Sequence, residues 1–163
     1  MKTISKDVDA FVVIGNQFHS LGAALSVRNP VYLLDTYNQE IVDMSKLRDK
    51  VVKQRFAAIE KVKNEKRIGI IVGLKPGQKF GNFKVIKKKF EDAGKEVVII
   101  TMTEISKDKL VNFHGIKAFV ELACPRIAFE DYYKYDQALV TFREALVAIG
   151  ELKLEDLIEH GFL

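Results

Sequence analysis

The sequence predicts an α/β fold in which parallel sheets are flanked by helices. Short, continuous apolar runs end in Gly or in a polar residue, as is typical of strands that are buried on both faces. Between these runs lie segments whose apolar residues recur every three or four positions, as is typical of helices. Strands that alternate with helices at this spacing indicate a parallel sheet with helices on both of its faces.

The first part of the chain contains two such strands and two helices. Residues 9–15 form an apolar run that ends in Gly, which predicts a strand buried on both faces. A short helix over residues 20–27 leads to a second buried strand at 30–34. Ser45 is suited to cap a long helix that extends to about residue 65. The apolar positions of that helix recur at helical spacing: Leu47, Val51, Val52, Phe56, Ile59 and Val62.

A second series of strands and helices begins after this helix. Strands are predicted at 67–73, 96–101, 116–123 and, as a short one, 138–141. Helices are predicted at 79–93, 106–113, 142–149 and 153–158. Gly94 is suited to end the first of them, because glycine readily adopts the left-handed conformation of a helix cap.

A weak internal repeat suggests how these elements divide into domains. Residues 9–16 parallel residues 117–124, and each run is followed at a similar distance by another short apolar run. We therefore expect residues 1–44 to be the C-terminal part of one α/β domain, 45–66 a connecting helix, and 67–163 a complete, Rossmann-like second copy. On this interpretation Met1 is not a natural domain start, and the first domain's remaining strands lie outside the sequence.

Composition excludes several classes of protein. No apolar stretch of the 163 residues reaches the roughly 18 needed to span a bilayer, and Met1 is not followed by a signal peptide. A single cysteine cannot form an internal disulfide, which favours a cytoplasmic setting. Nor can one cysteine hold an iron–sulfur cluster without ligands from outside this chain.

The net charge of +4 is concentrated in the helical segments. The excess lies in residues 46–67 and 84–89, and we interpret both as solvated helix faces. No aromatic residues are interleaved with these charges, so direct binding of nucleic acid is weakly supported.

Three loops at predicted strand ends carry the candidate site residues. Ligands of open α/β sheets bind beyond the carboxyl ends of the strands. The first loop contains Asn16 and His19, and this histidine is either a ligand contact, a proton carrier or a hydrogen-bonding group at a helix start. The second, at 73–79, joins a strand to a helix start, where free N–H groups favour anions. Gly77 there permits close backbone approach.

The third loop contains Cys124, the only cysteine, followed by Pro125 and Arg126. The thiol is either a small buried hydrophobic group or a ligand or nucleophile. A neighbouring Arg favours the thiolate, which is the form that binds metal.

Together the three loops resemble those of the archaeal diphthamide synthase radical enzymes, the 2-(3-amino-3-carboxypropyl)histidine synthases. The order and spacing of all three segments match, and the resemblance covers essentially the whole chain. The segments are Phe18-His19-Ser20-Leu21-Gly22, Lys75-Pro76-Gly77-Gln78, and Ala123-Cys124-Pro125-Arg126-Ile127-Ala128 with Asp131-Tyr132-Tyr133.

This resemblance implies three similar α/β domains, each of which places one cysteine near the centre. The three thiolates hold a 4Fe-4S cluster, and S-adenosylmethionine binds the open iron. Reductive cleavage then yields a 3-amino-3-carboxypropyl radical, which is joined to a histidine of translation elongation factor 2 in the first step of diphthamide formation. Archaeal members are homodimers, and the elongation factor is the protein substrate.

By resemblance, Cys124 is the third-domain cluster ligand. Gly77 and Gln78 belong to the loop that lies against S-adenosylmethionine, and Asn16 and His19 contribute to the same pocket. No catalytic residue is assigned. The family's first two cysteines are absent, and the second of them lies shortly before the position of Thr3. We therefore expect a C-terminal part that is inactive alone and needs the missing N-terminal half or a partner subunit.

Two other functions remain open at this point. The chain is either a non-catalytic partner subunit of such an enzyme or a small module that binds a nucleoside or carboxylate through the 75–78 loop. Neither alternative requires Cys124 to bind iron.

Overall fold

The computed structural model describes residues 4–77, 81–129 and 132–162. The chain divides into two compact units. The first comprises Met1–Gln54 together with Leu154–Phe162, and the second comprises Arg55–Lys153. No helix in the described ranges combines the length and apolar character needed to cross a membrane.

The first unit is built on a three-stranded sheet in the order β1-β2-β3. The strands β1 and β2 are parallel, with Phe11 opposite Val31, while β3 runs antiparallel to β2. The helix α1 packs on β1 and β2. The elements are β1 (Phe11–Ile14), α1 (Gln17–Ala24), β2 (Val31–Asp35), β3 (Glu40–Asp43), the start of α2 (Ser45–Asn64), and α7 (Leu154–His160).

One face of this sheet is open, which makes the prediction that β1 is buried on both faces wrong. Val12 is 61% exposed and Ile14 is 71% exposed. Ile41 on β3 is 69% exposed and lies on the same face, since it pairs with Leu34, which pairs with Ile14. The apolar run does form a strand, as predicted, but no described residue covers this side of it.

Two local hydrogen-bonding groups explain the other differences in this unit. The Asn16 side chain accepts the His19 backbone N–H (3.1 Å), so α1 begins at Gln17 rather than at residue 20. The strand β3 is not among the predicted elements. The Asp35 carboxylate accepts the backbone N–H groups of Tyr37 (2.9 Å) and Asn38 (3.0 Å), and this turn directs the chain back along β2.

The second unit contains a four-stranded, fully parallel sheet in the order β5-β4-β6-β7. Helices connect these strands, which confirms the predicted α/β class with a parallel sheet flanked by helices. The elements are β4 (Arg67–Gly73), α3 (Phe83–Asp92), β5 (Glu96–Met102), α4 (Lys107–Leu110), β6 (Ala118–Glu121), α5 (Pro125–Phe129), a 3-10 turn (Tyr132–Lys134), β7 (Ala138–Val140) and α6 (Phe142–Ala148).

The core of this unit lies against its central strands. Every residue of β6 and β7 is buried. One face of the sheet contributes to a cluster formed by Ile71, Ile100, Leu110, Ile116, Phe119 and Leu139. Gly69 on β4 faces Phe119 on β6, and the absence of a side chain at Gly69 lets the phenyl ring lie across the sheet.

Helix boundaries in the second unit follow their caps. Gly94 has φ +76° after α3, which confirms the predicted left-handed cap. The described part of α3 begins at Phe83 because the Asn82 side chain accepts the N–H of Lys84 (3.0 Å). The predicted helix start at 79 is wrong, because Gly81 has φ +92° and Asn82 is extended, so neither residue is helical. Residues 78–80 lie outside the described ranges.

The basic face of α2 needs one correction. Lys53, Lys61 and Lys63 are exposed, as expected of a solvated face. Arg55 is instead 2% exposed, because its guanidinium group is enclosed by hydrogen-bonding partners within the second unit.

The internal repeat corresponds to a repeated strand–helix–strand arrangement. In the first unit β1 leads through α1 to its parallel neighbour β2, and in the second β6 leads through α5 to its parallel neighbour β7. Asn16 and Cys124 occupy matching places, each directly before the helix that follows the strand.

Candidate functional site

The parallel sheet has its topological switch point between β4 and β6. From β4 the chain passes to β5 on one side, and it then returns across the sheet to β6 on the other side of β4. At such a point the two connections leave in opposite directions and open a crevice beyond the carboxyl ends of the strands. The loops that follow β4 and β6 border this crevice, and they contain Gly77 and Cys124.

Backbone hydrogen bonds fix where these two loops start. The Leu74 N–H donates to the Met102 carbonyl (2.9 Å), and the Leu122 N–H donates to the Ile71 carbonyl (2.9 Å). Each loop therefore keeps the pairing of the sheet for one residue beyond its strand. The residues that follow, on both sides of the crevice, start from rigid positions.

Gly77 presents open backbone on the β4 side. It has φ +76°, a conformation that favours glycine, and a Cβ placed on it would meet nothing within 4 Å. Lys75, Pro76 and Gly77 are all exposed. Gln78, the other sequence-predicted residue of this loop, lies outside the described residues.

Cys124 lies on the β6 side, as a half-buried free thiol. The next residue, Pro125, opens the short helix α5, where its missing N–H is not needed and its fixed φ suits the first turn. The Ile127 N–H donates to the Cys124 carbonyl (3.0 Å). The thiol therefore sits at a defined turn between a buried strand and a helix.

A buried carboxylate supports that turn. Glu121, the last residue of β6, is 2% exposed, and its Oε2 accepts the N–H of Ala123 (3.1 Å) and of Cys124 (3.0 Å). Burial raises the pKa of Glu121 to about 7, and the nearby Glu144 carboxylate raises it as well. The two N–H groups and the Arg55 guanidinium act in the opposite direction on this pKa.

A second buried group holds the far end of α5. The Arg55 Nη1 donates to the Ala128 carbonyl (2.6 Å), and Nη2 donates to the Leu139 carbonyl (2.6 Å). The same guanidinium group binds both Glu144 oxygens, with Nε–Oε1 at 2.7 Å and Nη2–Oε2 at 2.6 Å. Its centre lies 5.1 Å from the ring of Phe129.

Sequence reasoning missed these three charged residues, although two of them had a visible signal. Glu121 interrupts an apolar strand run, and a carboxylate there must find buried donors. Glu144 lies three positions after Thr141, which is the spacing of a capping box, and the structure contains that capping box. The signal for Arg55 was its place four positions after Val51, on the apolar face of α2, but the basic residues around it obscured this signal.

The remaining sequence-predicted residues belong to the first unit. Asn16 caps α1 at the carboxyl end of β1. His19 is exposed, and its imidazole ring contacts Phe18 edge-on at 5.6 Å between centroids. Gly77 and Cys124 are thus brought to one sheet edge, while Asn16 and His19 lie at the edge of a different sheet.

The first unit also has a cavity of about 390 Å³. None of its lining residues is a sequence-predicted site residue. They are Ala24, Leu25, Val27, Arg28, Arg48, Asp49, Val52, Ile158 and Phe162.

The described residues do not provide a complete metal site by themselves. In the described ranges no three His, Cys, Asp or Glu side chains come together in a way that could hold a metal ion. A half-buried thiol at a rigid strand end nevertheless suits one ligand of an iron–sulfur cluster, whose ligands are cysteine thiolates. The donor set therefore fits such a cluster when other thiolates come from outside the chain.

Comparison with known proteins places this arrangement in a family. The family model described as "Putative diphthamide synthesis protein" matches residues 1–158. The 2-(3-amino-3-carboxypropyl)histidine synthase of Pyrococcus horikoshii is 31% identical over 134 residues, which are 82% of this chain and 38% of that protein. Subunit 1 of the same enzyme from Eremothecium gossypii is 33% identical over 147 residues, which are 87% of this chain and 34% of the relative.

A solved structure agrees with this result. The crystal structure of Dph2 from Pyrococcus horikoshii with a 4Fe-4S cluster superposes with a TM-score of 0.79 at 27% identity, covering 94% of this chain and 43% of that one. The chain thus spans between a third and two fifths of the curated relatives it matches. Because the family model matches nearly every residue, the chain belongs to the diphthamide synthesis protein family.

Proposed function

We propose that this chain is the C-terminal part of a cytoplasmic 4Fe-4S enzyme of diphthamide synthesis. The enzyme cleaves S-adenosylmethionine and transfers the 3-amino-3-carboxypropyl group to a histidine of translation elongation factor 2. This chain provides one cluster ligand and part of the binding pocket. The names of its relatives support the transferase activity, and the 4Fe-4S cluster in the crystal structure of Pyrococcus horikoshii Dph2 supports the cofactor.

The observation that carries the proposal is that Cys124 and Gly77 lie in the loops that follow two neighbouring parallel strands, β6 and β4. Both lie at the carboxyl edge of neighbouring strands, on either side of the switch point where α/β proteins bind ligands. A metal ligand and an open backbone segment at the same crevice are what a metal-bound, amino-acid-like substrate requires.

The chain's own residues would bind and orient rather than react. Cys124 would hold the cluster as a thiolate, and the exposed backbone near Gly77 would lie against S-adenosylmethionine. In the first unit, Asn16 and His19 would offer polar groups for contact with a ligand. When bound, the cluster supplies the electron for cleavage of the substrate's carbon–sulfur bond.

The open face of the first sheet supports a partner that carries the rest of the protein. Val12, Ile14 and Ile41 expose apolar side chains on one face, and β1 pairs only with β2, which leaves one edge of β1 without a neighbouring strand among the described residues. Contiguous apolar surface of this kind marks interfaces. We assign the face to the missing N-terminal half or to a partner subunit that supplies that half. The complete assembly would include a homodimer.

Anaerobic cluster reconstitution tests the proposal. The chain is co-purified with a polypeptide that supplies the other two cysteines, and iron, sulfide and visible absorbance are measured for wild type and Cys124→Ala. Loss of the cluster and of 3-amino-3-carboxypropyl transfer to the elongation factor in Cys124→Ala is expected. An equally stable cluster in this variant would contradict the ligand role.

A non-catalytic partner subunit is the second candidate. It is favoured by the lack of any three-ligand metal group among the described residues and by the naming of several relatives as subunit 1. For this candidate Cys124→Ala would keep full transfer activity, while omission of the whole chain would abolish it.

A further inference from the structure

The segment that carries Cys124 consists of a turn and the start of a short helix. The described part of helix α5 spans five residues, from Pro125 to Phe129, and a helix of this length is not stable through its own backbone. Its position must therefore come from groups outside it. Two buried charged side chains provide these contacts, one at each end of the segment.

At the front end the contact is the carboxylate of Glu121. A single oxygen accepts two successive backbone N–H groups, from Ala123 and Cys124, at 3.1 and 3.0 Å. When Glu121 is ionised, each of these bonds is about twice as strong as a bond between neutral groups. Since Glu121 is itself fixed within the pairing of β6 with β4, these bonds tie the cysteine backbone to the sheet.

At the rear end the contact is the guanidinium group of Arg55. It donates to the Ala128 carbonyl and also to Leu139 on β7, while both Glu144 oxygens hold it in place. The planar group thereby connects α5 to β7 and α6. Arg55 and Glu144 are 2% and 0% exposed, so water does not compete for these contacts.

A buried ion pair is a poor way to gain stability, because desolvation of two charges offsets most of their attraction. The geometry here is nonetheless highly directional, with four donated bonds from one side chain. Such an arrangement specifies position, since the four bonds connect two backbone carbonyl groups and one carboxylate to the same planar group.

We propose that Glu121 and Arg55 are positioning residues that hold the Cys124 segment at its two ends and so fix the place of the thiol at the crevice. The consequence for a cluster rests on the proposed function, in which Cys124 is a ligand. The claim that these residues hold the segment does not rest on the proposed function, and it can be measured on the metal-free chain.

Amide hydrogen exchange and thiol alkylation provide that measurement. Glu121→Leu replaces the carboxyl side chain by an apolar one of similar size. Exchange at Ala123 and Cys124 should then accelerate by roughly tenfold or more, because two hydrogen bonds to a carboxylate are lost. Alkylation of Cys124 by iodoacetamide should also accelerate. Glu121→Gln keeps an acceptor oxygen and should restore most of the protection.

Arg55→Lys tests the rear end while preserving the charge. An ammonium group cannot reproduce the four bonds of the guanidinium fork, so exchange should accelerate in α5, at Ile127 and the residues after it. Glu96→Leu on β5 is the matched control, because Glu96 is an exposed carboxylate of the same sheet that does not contact this segment. Its exchange and alkylation rates around Cys124 should equal those of wild type.

Unchanged exchange at Ala123 and Cys124 in a folded Glu121→Leu protein would overturn the inference. In the reconstituted complex, Glu121→Leu should release iron to a chelator faster than wild type and alter the paramagnetic resonance spectrum of the reduced cluster. Glu121→Gln should restore wild-type behaviour in both measurements. A wild-type complex that forms no cluster, with accelerated exchange in Glu121→Leu, would count against the proposed function and still support the positioning role.

Discussion

The phenyl ring of Phe119 occupies the space in which Gly69 would carry a side chain. The two residues face each other on β6 and β4, and a Cβ on Gly69 would overlap the ring and also approach Ile116 Cγ2 at 3.3 Å. The ring is fully buried, so any shift of it would disturb a closely packed core. This contact sets the spacing of side chains on one face of the parallel sheet.

Gly69→Ala is therefore expected to destabilise the second unit by about 1–3 kcal/mol, the usual cost of overpacking a core. Urea denaturation should show a lower midpoint with an unchanged slope. Gly22→Ala is the control, because a Cβ there meets nothing within 4 Å and the residue lies within α1. That change should be neutral or stabilising by up to about 1 kcal/mol, and an equal loss from both variants would contradict the packing argument.

Removal of either partner of the buried Arg55–Glu144 pair should be strongly destabilising. Glu144→Ala leaves the guanidinium charge buried without its carboxylate, at a cost of about 3–5 kcal/mol. Thermal and chemical denaturation measure this loss. Glu91→Ala breaks an exposed pair with Lys87 and should change the free energy of unfolding by less than about 0.5 kcal/mol. A double-mutant cycle between positions 55 and 144 should show a large coupling.

The turn between β2 and β3 should loosen in acid. Hydrogen bonds from Asn38, through its backbone N–H and its side-chain amide, and from the Tyr37 N–H hold the pKa of Asp35 below its ordinary value of 3.8. Since the pKa of Asp35 is lower in the folded chain than in the unfolded chain, the stabilisation is present at neutral pH. It is lost as pH falls through the pKa of the folded chain. Amide exchange of Tyr37 and Asn38, corrected for the intrinsic rate, should show this loss.

Asp35→Asn should make that turn insensitive to pH over the same range. The neighbouring turn at Asp43, whose pKa is lowered mainly by the Ser45 N–H, should keep its own acid response in this variant. A pH response at Tyr37 that persists in Asp35→Asn would show that another group is responsible.

Purified alone, this chain should fail to retain an iron–sulfur cluster. Anaerobic reconstitution is expected to leave well under one cluster per chain, since a single thiolate holds too few of the irons. Cys124→Ala should match wild type in this experiment. The two proteins should differ only once the polypeptide with the other cysteines is added.

The open face of the first sheet should matter for association and little for the stability of the chain itself. Ile14→Lys replaces a side chain that is 71% exposed and should change the free energy of unfolding by no more than about 0.5 kcal/mol. Binding to the remaining part of the protein should weaken markedly in a pull-down or titration. Val85→Lys, at a 42% exposed site on α3, is the control and should bind as wild type.

The sequence was sufficient to predict elements whose neighbours are close in the chain. The strand at Arg67–Gly73 is predicted at its observed bounds, and Gly94 is identified as a cap, because apolar runs and glycine act locally. Burial of β1 on both faces was wrong, since an apolar run does not reveal whether anything covers it. The four residues of β3 were missed because charged groups flank only two apolar positions.

The same difference between local and long-range information applies to the candidate site. The loops with Gly77 and Cys124 were found because they follow recognisable strands. The role of Arg55 depends on partners 73 to 89 positions away, and no local pattern contains that information. Charged residues that complete a core in this way become visible only when the chain has been folded.

The distance in sequence between Arg55 and Glu144 also bears on how the protein is made. At roughly 5–20 residues per second, a ribosome needs between about 4 and 18 seconds to proceed from one to the other, and Arg55 remains without its carboxylate throughout. The first unit waits longer still, because it includes Leu154–Phe162. Each unit can therefore close only after residues that are distant in sequence have been synthesised.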